Sequence, residues 1–263
     1  LKDFLNFQLG YKQVRDNQTD SDTISFAAQR QWGAEEADNW DKIAFIKAEQ
    51  ETFIQGLQDE QKTLLVIPGV TLNRVRKNGD IFVDWGDRQQ LTIEGASASL
   101  LSDIDLFKIT ARTKWIRTYD KHRFVFRADA GAISTNDFDR VPSSQRFFAG
   151  GDQSIRGFGL DEVALSREVL ADDGIELETE LIGGKYLSVA SVEYAYRVAD
   201  NWRVAAFIDA GSASDKFAKD IATGIGVGVH WLSPIGNVQI YLAEGRTDFD
   251  KGYRIHLIIG PGL

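Results

Sequence analysis

Cysteine and methionine are absent from the 263 residues, and only four prolines stand against 24 glycines. Without cysteine there is no disulfide framework and no thiolate nucleophile. Proline interrupts strand hydrogen bonding, so its scarcity leaves room for long strands. No stretch reaches the roughly 18 apolar residues of a membrane-crossing helix. That absence leaves open a transmembrane barrel, which spreads its apolar residues over alternate positions. Basic charge is also short: 30 Lys and Arg against 39 Asp and Glu give a net charge of −9. The balance argues against nucleic acid and anionic membrane surfaces as partners.

Catalytic signatures are missing too. There is no G-x-S-x-G elbow, no phosphate-cradling glycine pattern between a strand and a helix, and no H-E-x-x-H. The three histidines fall on separate segments, and His230 and His256 share the polar face and read as lumen residues, so no metal, cofactor or enzyme activity is expected. A barrel phospholipase would need a Ser beside a lipid-facing His, and none stands convincingly beside His122. The Gly150-Gly151 pair reads as a loop device.

What is present is a period of two. Tyr186, Ser188, Ala190, Val192, Tyr194 and Tyr196 alternate with Ser191, Glu193 and Arg197. Trp202, Val204, Ala206, Ile208 and Ala210 alternate with Arg203, Phe207, Asp209 and Gly211. Ile225, Val227, Val229 and Trp231 oppose Gly224, Gly226, Gly228 and His230. Val238, Ile240 and Leu242 oppose Asn237, Gln239 and Tyr241, and Tyr253, Ile255, Leu257 and Ile259 oppose Arg254, His256 and Gly260. Upstream, 122–132 and 107–117 repeat the rhythm, with fainter strands near 88–98, 63–76, 41–55, 22–32 and 2–15. The pattern predicts about twelve antiparallel strands.

Short turns alternate with longer polar loops, and aromatics cluster at strand ends, as in membrane barrels. The polar faces repeat Arg123, Arg127, Asp129, Glu193, Arg203, Asp209, Arg254 and His256 at mid-strand. A soluble sandwich would carry longer, more varied surface residues there. The expected fold is therefore all-β: a transmembrane antiparallel β-barrel spanning residues 1–263, with one long connection, 134–185, directed into the lumen. The first residues already read as a strand, so the N-terminus reads as a cut or processed end.

That connection holds "RFFAGGDQSIRGFG", residues 146–159. Phe147, Phe148, Ile155, Phe158 and Leu160 are costly to leave in water, so the segment is expected to fold inward. Inside a barrel Arg156 needs counter-charges. Glu193 and Asp209 face the same side from the next two strands. Gly157 and Gly211 would allow close backbone approach, and Gly224, Gly226 and Gly228 would leave room for the connection against the wall.

"RFFAGGDQSIRGFG" resembles the sixth extracellular loop of the BamA/TamA superfamily of outer-membrane insertases, with its Arg-Gly-Phe/Tyr tip: here Ile155, Arg156, Gly157 and Phe158. "AAFIDAG" (205–211) is similar to that family's F-x-D-x-G strand, "TGIGVGVHWLSPIG" to its next strand and turn, and "GYRIHLIIGPGL" to its last strand. The loop's wording and the "GPGL" ending are most similar to the TamA branch, the translocation and assembly module. The resemblance implies that Arg156 meets Asp209 and Glu193, with Phe147, Phe148, Gly150 and Gly151 packing the loop. It implies a C-terminal signal strand with Gly252, Tyr253, Ile255 and Leu257, although the chain ends in Leu263 where the family often has an aromatic.

It also implies a bacterial outer-membrane location and contact with the lipid bilayer. Unfolded β-barrel and autotransporter clients and a periplasm-spanning inner-membrane partner follow from the same resemblance. Family barrels have sixteen strands after periplasmic POTRA domains; about twelve are read here. Two other functions fit the same pattern: a barrel anchor or secretion pore for a fused or partner secreted protein, and phospholipid transport between membranes.

Overall fold

A computed structural model of the chain describes residues 3–15, 19–33, 40–55, 59–79, 83–170, 177–233, 236–248 and 250–260, with only the backbone of 167–170 and 177–179. In chain order the strands are β1 (Asp3–Arg15), β2 (Thr19–Trp32), β3 (Asp41–Gln55), β4 (Gln61–Asn78), β5 (Trp85–Ala96), β6 (Leu106–Tyr119), β7 (His122–Thr135), β8 (Ser166–Leu170), β9 (Leu177–Leu181), β10 (Tyr186–Ala199), β11 (Trp202–Ser214), β12 (Ala222–Ser233), β13 (Gly236–Arg246) and β14 (Lys251–Gly260). Twelve form one sheet in the order β1 to β7, then β10 to β14; β8 and β9 pair separately. All neighbours in the sheet are antiparallel, as expected for strands joined in succession.

The twelve expected strands are all present, most of them a few residues longer than the period-two pattern alone delimits. The β8–β9 hairpin inside the long connection was not expected. Its strands are only five residues each, and β9 carries two acids, so the run is too short for its alternation to stand out.

Period two sets the two faces, and the burial is inverted relative to a soluble sheet. Leu9, at 83% exposure, joins Phe7, Phe26, Ile46, Phe107, Phe126, Ile225, Val227 and Leu257 on the exposed face. On the other face Glu51, Glu193, Asp209, Arg203, His230 and His256 are all buried. Such a wall is stable where the exposed side meets hydrocarbon.

The sheet curls toward its polar face. The side-chain amide of Gln145 donates to Glu49 on β3 at 2.9 Å and accepts from Lys108 on β6 at 3.3 Å. Three strand steps on a flat sheet span about 14 Å, too far for one glutamine to bridge. A cavity of about 700 Å³ likewise brings Lys12 of β1 and Leu187 of β10 to a common space. At the two edges, β1 pairs only with β2 and β14 only with β13 among the described residues.

The polar face is not polar throughout. Leu65, Ile67, Leu106, Ile133, Leu187 and Val189 of the wall form a buried cluster with Val141, Phe147, Ile155 and Val163 of the connection. An apolar bed of this kind gives the connection a hydrophobic anchor, worth about 25 cal/mol per Å² covered. Period two does not reveal it, because the bed lies on the side assigned to polar residues.

Inverted burial has a direct consequence. Val227→Arg, at the middle of β12, should cost about 2–4 kcal/mol in urea unfolding from vesicles, and Thr223→Arg near the strand end about 0–1 kcal/mol. Equal costs at both positions would contradict a lipid-facing wall.

Candidate functional site

The connection between β7 and β10 is held together before it reaches its tip. Arg146 donates from Nε to the Val141 carbonyl at 2.8 Å, from Nη1 to Ile182 at 2.9 Å and from Nη2 to Asp139 at 2.9 Å. One guanidinium thus ties the outgoing and returning limbs. Phe147 exchanges backbone hydrogen bonds with Gly184, and Ala149 with Val163. The Phe147 ring lies over Gly131 of β7, where a Cβ would overlap it.

Gly150, Gly151 and Gly157 all adopt positive φ, at 103°, 92° and 101°. These values favour glycine and shape the turns on either side of the tip. Ile155 is fully buried in the apolar bed and Phe147 nearly so, while Phe148 and Phe158 are half-buried. Leu160 departs from expectation: it is 81% exposed, because just past the tip it faces the open 700 Å³ cavity instead of the wall.

The structure brings Arg156 together with both acids. Its Nε and Nη2 donate to the two oxygens of Asp209 at 2.8 and 2.9 Å, a bidentate pair, and its backbone N–H donates to the same carboxylate at 2.9 Å. Nη1 donates to Glu193 Oε2 at 2.5 Å. Ser191 donates to Asp209 Oδ1 at 2.6 Å and accepts from Nη2 at 3.3 Å. Burial by itself lowers the guanidinium pKa; the hydrogen bonds and charge of Asp209, then of Glu193, outweigh it and raise the pKa above its ordinary value. Arg156 is therefore a permanent cation here.

Aromatic and imidazole groups complete the enclosure. The guanidinium carbon lies 3.5 Å from the Phe207 ring centroid and 4.6 Å from that of Tyr241. The Tyr241 hydroxyl donates to Glu193 at 2.9 Å and lies 2.8 Å from His230 Nε2. The Gly157 N–H donates to His256 Nε2 at 2.8 Å, which assigns the single ring proton to Nδ1, which donates to Asp152. Glu162 pairs with Arg254 at 2.9 Å. Through these last contacts the tip reaches β14.

The glycines divide their work differently from the sequence expectation. Gly224 alone of its stripe receives the connection: a Cβ there would overlap the Arg156 carbonyl oxygen. Gly226 and Gly228 instead accommodate the rings of Phe207 and Tyr241. Gly211 lies against Ser188 and Val189 within the wall, not against the tip. Gly157 approaches Gly245 of β13, whose backbone nitrogen would be 2.5 Å from an added Cβ. Gly245 went unread because "EGR" looks like the start of a polar loop. Tyr241 and His230 were placed on the inward face by parity, but parity did not join them to the Arg156 cluster, which depends on the reach of their rings.

Gly252, Tyr253, Ile255 and Leu257 all lie on β14. The last three are exposed on the apolar face. The residues 261–263 of the "GPGL" ending lie outside the described residues.

Among known proteins, residues 4–261 match the Omp85 superfamily domain. The outer membrane protein assembly factor BamA of Nitratidesulfovibrio vulgaris is 27% identical over 145 residues, which is 51% of this chain and 17% of that protein. The fold is similar to the crystal structure of BamA from Haemophilus ducreyi lacking POTRA domains 1–3. That match has a TM-score of 0.70 and 13% identity, over 97% of this chain and 64% of that one. The chain thus spans less than two thirds of either relative. These similarities do not single out the TamA branch suggested by the wording of the loop.

Removing the guanidinium would leave two buried carboxylates facing one another. Arg156→Ala should destabilise the folded barrel by about 3–5 kcal/mol, read as loss of heat-resistant migration in detergent. Arg140→Ala, at a half-exposed pair 3.7 Å from Asp103, should cost at most about 1 kcal/mol. Equal losses would remove the special standing of Arg156.

Proposed function

The chain belongs to the Omp85 superfamily, and from that premise we propose that it is the membrane barrel of a protein that inserts or assembles other β-barrel proteins. It is a bacterial outer-membrane β-barrel, with its apolar face toward lipid and its polar face inward. The observation that carries the proposal is the pairing of β14. Among the described residues this strand has one neighbour, β13, and leaves a row of backbone donors and acceptors at the edge of a lipid-facing sheet. Unmatched backbone groups in hydrocarbon cost several kcal/mol each, so such an edge favours pairing with another strand. A client strand can add there by β-augmentation.

The connection 134–185 and its Arg156 cluster support this role structurally. They brace β10, β11, β13 and β14 from inside and keep the lumen from acting as an open pore. The process consumes no nucleotide and needs no catalytic group. The TamA-type role, with autotransporter clients and a periplasm-spanning inner-membrane partner, rests on the wording of residues 146–159 and is the finer form of the same proposal.

These 263 residues lack cysteine, so a thiol introduced in them has no competitor within the barrel. In the full-length protein, Leu257→Cys on β14 should form a disulfide with a cysteine in the terminal strand of a stalled β-barrel client. Val227→Cys, within the paired wall, should not. Absence of the first cross-link in vesicles that nevertheless accelerate client folding would move the entry point away from β14. Vesicles that transfer phospholipid without accelerating folding would replace insertion by lipid transport.

A further inference from the structure

All six tryptophans stand toward one end of the wall, the end of the short turns at 120–121 and 200–201: Trp32, Trp40, Trp85, Trp115, Trp202 and Trp231. In membrane barrels short turns face the periplasm, and aromatic girdles mark the headgroup level. Within this girdle, on the apolar outer face, lies a cluster of charge. Register places Arg76 opposite Asp87, Asp87 opposite Trp115, and Trp85 opposite Arg117, so all share one face with Phe107 and Ile93.

Asp87 is fully buried beneath three guanidiniums. Arg76 grips it with two hydrogen bonds of 3.1 and 2.8 Å, Arg117 stands 3.5 Å away, and Arg74 4.0 Å. The guanidiniums stack on indoles: Arg74 on Trp40 at 4.8 Å, Arg117 on Trp85 at 4.5 Å, and Arg76 on Trp85 at 5.6 Å. Three cations and one anion leave a local excess of two positive charges, in a chain whose overall charge is −9. Arg74 is the least satisfied: its Nε is buried without a hydrogen-bond partner among the described residues. Nearby, Arg30 is matched by Asp3 at 2.5 Å and leaves no excess.

We propose that this Arg74–Arg76–Arg117 cluster is a binding site for the phosphate headgroup of an anionic phospholipid in the periplasmic leaflet. Guanidinium forks match phosphate oxygens, and the stacked indoles suit the boundary between headgroup and acyl chain. The acyl chains then lie along Val70 and Ile93, which are exposed on the same face. A local excess of this kind reverses the expectation, drawn from net charge, that anionic lipid is disfavoured. The site depends on the barrel's place in the membrane and not on insertion activity, so the two proposals can fail separately.

The test uses the full-length protein in nanodiscs of phosphatidylcholine with a minor fraction of phosphatidylglycerol. Lipids retained after gentle delipidation are measured by mass spectrometry. Phosphatidylglycerol should be enriched over the starting mixture. Arg74→Gln should reduce that enrichment about fivefold, the usual effect of one cation near a lipid surface. This substitution removes no hydrogen bond to the fold, and heat-resistant migration verifies folding. Asp87→Asn should increase the enrichment, and Arg30→Gln should leave it unchanged. No enrichment in the unaltered protein, or an equal loss with Arg30→Gln and Arg74→Gln, would overturn the site.

Discussion

A cation carried into the interior of a protein has to be met there, and the rest of this architecture is arranged around meeting one. Arg156 arrives at the tip of a connection some fifty residues long and finds Asp209 and Glu193 on two adjacent strands. Their positions require that β10 and β11 turn the same parity inward, that Gly224 lack a side chain, and that Ile155 be seated in the apolar bed. Each requirement concerns a different part of the chain. The ion cluster therefore acts as a joint condition on strand register, glycine placement and loop packing.

Much of this is legible in the amino-acid sequence alone. Alternation fixed the strands and their faces, and parity alone paired Arg156 with the two acids. The limits have physical causes. Leu65, Ile67 and Ile133 are apolar residues on the inward side, invisible to a rule that sends apolar residues outward. Gly245 and Gly157 meet across a sequence distance that no local pattern spans. Arg146 was in plain view in the quoted stretch, but it donates to three backbone carbonyls, which a sequence does not distinguish. Gly226 and Gly228 were read as clearance for backbone; they are clearance for rings. The β8–β9 hairpin has five residues a side, too few for alternation to stand out from its surroundings.

The two faces of the wall also divide the chain's electrostatics. Inside, cations and anions interleave closely around Arg156, Arg127, Asp209 and Glu193. Outside, charge gathers toward the strand ends, and the girdle of indoles stands at one of them. Net charge averages over both faces and over the loops, so it says little about what either surface meets. Position along the strand and parity say more.

The contacts between the tip and β14 bear on how that strand can move. Gly157 is bonded to His256, and Glu162 to Arg254, both on the inward side of the terminal strand. The strand is thus moored from within at its middle while, among the described residues, its other edge carries no neighbour. An outward swing must first slip those moorings, and a swing that keeps them must pivot about His256. The compliance of the free edge is consequently governed by a leash inside the barrel, several residues from the edge itself.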